Sequence, residues 1–237
     1  MANNYFRFKE FTVEQGESAF KVTTDSVLLG AWADLKGADR ILDIGTGTGL
    51  LALMAAQRSE AEIVAIEPDT ESFLQANANI SASKWASRIT LINSTIQSLS
   101  SENSGRFDII ITNPPYFTGS LLNPDPRKAA ARHSFSLSPE DLLNAVNELL
   151  AEDGKLMLVL PYKEGRIFLT EASLQGLHCH RILNVRPSPS SEVKRILLSL
   201  GRKECRPEEA EIIIETGGRH KYSEEYIALT RDFYLKM

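Results

Sequence analysis

Seven residues, Asp43-Ile44-Gly45-Thr46-Gly47-Thr48-Gly49, follow the apolar run Ile41-Leu42 and precede the helix-forming stretch that begins Leu50-Leu51-Ala52. Three glycines at alternate positions, after a short buried strand and before a helix, predict a sharp strand-to-helix turn. Without a Cβ, such a backbone can bend tightly and let a ligand approach closely. From Arg40 onward the pattern continues as strand and helix in alternation. Strands are expected at 41–44, 62–67, 89–92, 107–112 and 155–160, with helices at 49–57, 69–80 and 138–151. Ser138 serves as N-cap of the last of these, Pro139 takes its first position and Glu140-Asp141 its first turn. Alternation of this kind builds a mostly parallel sheet covered by helices on both faces, an α/β fold.

The flanks read differently. Residues 5–13, with Phe6, Phe8, Phe11 and Val13, predict a strand. A turn at 14–18, a second strand at 20–23 and a short helix from Thr24 or Asp25 to Trp32 follow. Beyond Pro161 come a helix (163–174), strands near 179–185 and 193–200, a further candidate strand at 212–214, and a terminal helix at 222–234 capped by Ser223. The division expected is a short N-terminal extension, residues 1–37, closing over the ligand site, and one larger domain, residues 38–237. At 237 residues with 43% hydrophobic and 24% charged positions, the composition is that of an ordinary globular chain. No run reaches the eighteen or so apolar residues of a membrane span, and the N-terminus lacks the features of a signal peptide. A cytoplasmic location is therefore expected. Cys179 and Cys205, the two cysteines, give neither a disulfide framework nor metal spacing, and no metal site is expected.

The glycine spacing bears on the ligand. A dinucleotide fingerprint requires G-x-G-x-x-G, but counting from Gly45 its last position is Leu50, and from Gly47 it is Ala52. What stands here is D-x-G-x-G-x-G, with an acid that would repel a pyrophosphate. A cofactor without phosphate and with cationic groups fits better, and S-adenosylmethionine has a sulfonium and an ammonium. Glu67, twenty residues beyond Gly47 at the end of the second core strand, is placed to accept the ribose hydroxyls of a nucleoside. The competing structural role is that Glu67 and Asp69 cap the next helix. On Asp43, Gly45, Gly47, Gly49 and Glu67 the chain resembles the class I S-adenosylmethionine-dependent methyltransferases. The resemblance spans about residues 38–200 and implies a Rossmann-like, seven-stranded sheet in the order 3-2-1-4-5-7-6.

A second constellation, Asn113-Pro114-Pro115-Tyr116, comes sixty-four residues after Gly49 at the end of the fourth core strand. Two prolines remove two backbone donors, so the turn offers acceptors: the Asn113 side-chain oxygen and the Pro114 carbonyl. Two hydrogen bonds drawn to the protons of a planar exocyclic amine favour a pyramidal nitrogen with an exposed lone pair. Tyr116 would stack on a splayed-out base. The catalytic assignment is thus Asn113, Pro114 and Tyr116. This tetrapeptide resembles the signature of amino-methyltransferases acting on adenine, on guanine N2 in rRNA, or on the glutamine amide of release factors.

The segment Phe20-Lys21-Val22-Thr23-Thr24-Asp25-Ser26-Val27-Leu28-Leu29-Gly30-Ala31-Trp32, with Phe117 and Ala131-Arg132-His133, narrows the choice. It resembles the bacterial tRNA1(Val) adenine-37 N6-methyltransferase family. That resemblance implies a tRNA substrate and makes Lys21, Thr23 and Asp25 candidates at the methionine end of the cofactor. It also implies RNA contacts from Phe117, Arg127, Lys128, Arg132 and His133, and from Lys194 and Arg195. At this length neither the helical N-terminal domain of release-factor enzymes, nor a duplicated rRNA-enzyme half, nor a DNA target-recognition domain is expected. A monomer is favoured, and a cofactor-binding RNA chaperone without turnover is the non-enzymatic alternative. The net charge is −5, yet seven basic residues stand against two acidic ones between Arg181 and Arg206, a segment expected to hold phosphates. After the third core strand come Asn93-Ser94, where many relatives have an acid against the cofactor's adenine.

Overall fold

The computed structural model describes residues 3–18, 21–114, 137–218 and 220–237. Strands β1 (Tyr5–Arg7) and β2 (Thr12–Glu14) form a small antiparallel hairpin, followed by helix α1 (Thr24–Trp32). The core alternation is β3 (Arg40–Ile44), α2 (Leu50–Arg58), β4 (Glu62–Ile66), α3 (Thr70–Ser81), β5 (Ile89–Ile92), the single turn α4 (Ser101–Ser104) and β6 (Phe107–Thr112). Then come α5 (Pro139–Leu149), β7 (Leu150–Pro161), α6 (Tyr162–Leu174), β8 (His178–Arg186), β9 (Arg195–Gly201), β10 (Glu208–Ile213) and α7 (Glu224–Thr230).

Strands β3 to β10 make one eight-stranded sheet in the order β10-β8-β9-β7-β6-β3-β4-β5. The seven strands from β8 to β5 reproduce the expected topology. The eighth, β10, runs parallel to β8 at the edge, while β9 is antiparallel to both of its neighbours. Side chains alternate between two cores, as the period of a strand requires. Ile41, Ile63, Ile109, Ile111, Met157, Val159 and Leu197 face α1, α2, α3 and the two ends of the chain. Leu42, Ile44, Ile110, Leu156, Leu158, Leu160, Ile196 and Leu198 face α5 and α6. Both faces are covered, which is why the strands read as apolar runs rather than as alternating patterns.

The local start signals act as expected. Asp69 caps α3 through Ser72 N–H at 2.8 Å, and Ser138 and Asp141 form a reciprocal capping box at the start of α5. Three expectations shift. The strand expected at 5–13 is instead a hairpin that turns at 8–11, where Phe8 N–H donates to the Phe11 carbonyl at 2.8 Å. The turn lets the Phe8 and Phe11 rings stack at 4.8 Å, so both bury on one side, which an unbroken strand would forbid. The expected strand at 20–23 is not formed over residues 21–23, where the Val22 N–H goes to the Gln15 side chain, and residues 19–20 lie outside the described residues. Finally, α5 stops at Leu149 and β7 begins at Leu150, which already pairs with Phe107 across a local shift in register.

Candidate active site

The register of β3 and β6 builds the site. Thr112 lies level with Ile44, and its hydroxyl donates to the Ile44 carbonyl at 2.9 Å. Asn113 and Gly45 are therefore the next residues on two adjacent parallel strands, about 5 Å apart by strand spacing. The turn of glycines and the Asn-Pro turn open side by side at the carboxyl edge of the sheet, where α/β folds bind ligands.

Gly45, Gly47 and Gly49 all have positive φ (68°, 58° and 83°), the left-handed region that glycine enters without penalty. The Gly45 and Thr46 N–H groups donate to the Ile66 carbonyl at 2.9 and 3.0 Å, pinning the turn to the end of β4. A Cβ built on Gly45 or Gly47 would meet no atom of the described residues within 4 Å, so those residues leave room at the turn.

Two carboxylates lie beneath that space. Asp43 is fully buried; its Oδ2 accepts from Thr46 Oγ1 at 2.5 Å and from Ala52 N–H at 3.0 Å, while buried Oδ1 has no hydrogen-bond partner among the described residues. Burial pushes its carboxyl up to about 7, against the pull of those two donors and with the charge of Glu67 adding to the rise. Glu67, also buried, accepts from Gly47 N–H at 2.8 Å and from Asp69 N–H at 3.0 Å. Desolvation raises its pKa as well, with the two backbone donors opposing and Asp69 reinforcing. Each Glu67 oxygen keeps a further lone pair. The residue thus braces the glycine turn and the approach to α3, while Asp69 makes the cap itself.

Asn113 is half-buried, and its Nδ2 donates to Ser26 Oγ at 2.8 Å. Ser26 stands in the first turn of α1, where Thr23 is the N-cap: Thr23 Oγ1 accepts from Ser26 N–H at 3.2 Å and lies 3.0 Å from Ser26 Oγ. Asp25 Oδ2 accepts from Arg195 Nε at 2.7 Å, tying α1 to the start of β9. Lys21 is exposed. The structure therefore brings Asp43, the three glycines, Glu67, Thr23, Asp25, Asn113 and Pro114 to one edge of the sheet. Tyr116, Phe117, Arg127, Lys128, Arg132 and His133 lie outside the described residues.

Sequence reasoning missed Ser26 and Thr46, because a hydroxyl carries no signal of which distant backbone it will meet. The 181–206 segment, with seven basic residues against two acidic ones, was expected to hold phosphates. Several of its cations have partners within the fold. Arg181 lies over the Trp32 ring at 4.6 Å, Arg186 pairs with Glu211, and Arg202 donates to the Asn147 carbonyl at 2.7 Å near the end of α5. Lys194, on the carboxyl edge, is exposed and 3.5 Å from Glu192. Asn93 donates to the Glu67 and Pro68 carbonyls at 2.8 and 3.3 Å and thus shapes the neighbouring loop. Among the described residues no cluster of three or more His, Cys, Asp or Glu is gathered as a metal would need. No helix among them is long and apolar enough to cross a membrane.

Residues 18–177 match the family model described as the methyltransferase small domain. Among solved structures, a predicted O-methyltransferase of Agrobacterium tumefaciens superposes with a TM-score of 0.65 at 22% identity, over 88% of this chain and 96% of its own. The T. thermophilus 16S rRNA N2 G1207 methyltransferase, solved with AdoMet and guanosine, gives 0.56 at 22% identity over 84% of this chain and 50% of its own. Fold and family model together define the class: the protein is a methyltransferase. Relatives from Bacteroides fragilis strain YCH46 (45% identical) and Trichodesmium erythraeum (43%) cover 100% of both chains. One from Vibrio campbellii is 42% identical over 98% of this chain and 96% of its own. Each is named a tRNA1(Val) (adenine(37)-N6)-methyltransferase, and the chain belongs to that family.

Proposed function

We propose that the protein transfers a methyl group from S-adenosylmethionine to the N6 amine of adenine 37 in tRNA1(Val), with the base turned out of its stack. The observation that carries this reading is the placement of Asn113 beside the glycine turn with its amide nitrogen held by Ser26. The full-length relatives supply the identity of the nucleotide.

The site's residues fit the methyl donor. Among the described residues, the unpartnered buried Oδ1 of Asp43 and the room at Gly45 and Gly47 suit a ligand that brings positive charge close to an acid. Glu67 would hold the ribose hydroxyls with its remaining lone pairs, and Gly45, Gly47 and Gly49 would admit the nucleoside to the backbone. Lys21, Thr23 and Asp25 would border its methionine end. When bound, the cofactor supplies an electrophilic methyl on a sulfonium, so no base is needed to activate the amine beforehand.

The chain's own contribution is alignment and electrostatics. With Nδ2 occupied by Ser26, the Asn113 amide presents Oδ1 as an acceptor, and the Pro114 carbonyl is a second one, with no N–H on Pro115 to set a donor beside it. Hydrogen bonds from the N6 protons to these two oxygens localise the lone pair. After transfer they stabilise the cationic nitrogen until a proton leaves to water. Tyr116 would stack on the adenine, with Phe117, Arg127, Lys128, Arg132, His133, Lys194 and Arg195 as contacts to the surrounding RNA. Phosphate contacts of this kind make binding weaken with salt.

Asn113→Ala tests the reading. Transfer to tRNA1(Val) should fall roughly a hundredfold or more, typical of a lost transition-state contact, with cofactor affinity retained. Labelled cofactor offered to tRNA, rRNA and release factor separates the substrates; label on the protein substrate alone would overturn the assignment to RNA.

A further inference from the structure

We propose that Ser26 is a positioning residue for the transfer step: its hydroxyl fixes which end of the Asn113 amide faces the substrate amine. The inference deepens the reading of Asn113 given above and rests on it. An asparagine amide has a donor end and an acceptor end of nearly equal size, and a half-buried side chain can turn over at little steric cost. Here Asn113 Nδ2 donates to Ser26 Oγ at 2.8 Å, across 87 residues of sequence. With its nitrogen held, the amide turns its oxygen toward the open side, and that oxygen accepts from an amine. Turned over, it would oppose its own NH2 to the substrate's NH2, donor against donor, and expel the substrate from the productive pose.

The anchor is itself held from two directions. Ser26 N–H donates to Thr23 Oγ1, and the two hydroxyl oxygens lie 3.0 Å apart, so Ser26 Oγ can accept from Asn113 while sharing a proton with Thr23. One residue earlier, Asp25 is bound to Arg195 at the start of β9. The buried remainder of α1, Val27 to Trp32, packs against α2, β7 and α7. The helix start therefore has little freedom to follow Asn113 if the amide rotates. Near-attack alignment is sensitive to displacements of this size.

The experiment is a double-mutant cycle on the full-length protein with tRNA1(Val), reading kcat, KM, cofactor affinity and melting temperature. Ser26→Ala should lower kcat about tenfold, with cofactor affinity and melting temperature unchanged, because alanine suits the first turn of a helix. Ser26→Thr, which keeps the hydroxyl, should recover most of the loss. Ser26→Ala in an Asn113→Ala background should cost nothing further, since there is no amide left to orient. An additional tenfold loss in that background, a matching fall in cofactor affinity, or wild-type kcat in Ser26→Ala alone would overturn the inference. If Asn113→Ala by itself leaves transfer intact, the reading of Asn113 fails instead, and the two failures are distinguishable.

Discussion

A carboxyl group pushed up to about 7 beside the proposed cofactor site changes charge in the range where a cell works, and Asp43 is such a group. Its folded pKa lies above the ordinary value of 3.8, so between roughly pH 4 and 7 the folded chain holds a proton that the unfolded chain has released. Its contribution to stability is complete below about pH 4 and is lost as pH rises through 7. A ligand that brings positive charge reverses the balance, because it favours the ionised form. Binding of S-adenosylmethionine should therefore release a proton below pH 7, and its affinity should drop by up to about tenfold per pH unit there. Calorimetry in buffers of different ionisation heats would register that proton at pH 6 and little of it at pH 8.5. Glu67 is shifted in the same direction by burial and its charge acts on Asp43, so the assignment needs both variants. Asp43→Asn should flatten the profile while Glu67→Gln keeps its slope. A flat profile in the wild-type protein would mean that the charge at Asp43 is not felt by the ligand.

At the scale of elements, packing decides where propensity would mislead. Gly165 lies buried within α6, and a helix interior normally favours alanine over glycine by about 1 kcal/mol. Yet a methyl group there would sit 2.2 Å from Ile196 Cγ2 on β9. Overpacking of a tight core costs about 1–3 kcal/mol and a 2.2 Å approach belongs at the upper end, so, less the helix gain, Gly165→Ala should be a net destabilisation of about 2 kcal/mol, seen as a lower urea midpoint. An unchanged or higher midpoint would show that α6 moves away freely. The same contrast explains what the sequence reveals. The strand-to-helix turns, the Ser138 capping box, the Asp69 cap and the apolar core strands were legible because each is written within a few neighbouring residues. The hairpin turn at 8–11, the use of Arg202 near the end of α5 and the meeting of Ser26 with Asn113 were not, because they depend on partners 50 or more residues away in most cases and are set by the folded sheet. For the site, Asp43, the glycines and Asn113 were identifiable from their strand ends. Their mutual placement follows from the Thr112–Ile44 register, which a sequence does not print.

Taken as a whole, the chain is closed by its two ends, and that closure reaches the site. Phe8 forms an isolated bridge with Tyr234, and Lys9 N–H donates to the Phe233 carbonyl at 2.8 Å. Phe6, Phe8, Phe11 and Tyr234 stack or tilt against one another in the same core that holds α1, α2 and Tyr226 of α7. Because α1 packs against α7 and carries Ser26 at its start, the terminal layer supports the helix on which Asn113 is anchored. Phe8 is 1% exposed, so Phe8→Ala leaves a large cavity in that layer and should cost about 3–5 kcal/mol. For a chain of this size that corresponds to a fall in melting temperature of roughly 10 °C. Since the aromatic cluster is continuous with the core beside β3 and β7, unfolding should remain a single transition by circular dichroism and by tryptophan fluorescence, with Trp32 and Trp85 both in that core. Two separated transitions would show that the terminal layer melts as a unit of its own, and in that case methyl transfer should fail at the lower one, when α1 loses its backing.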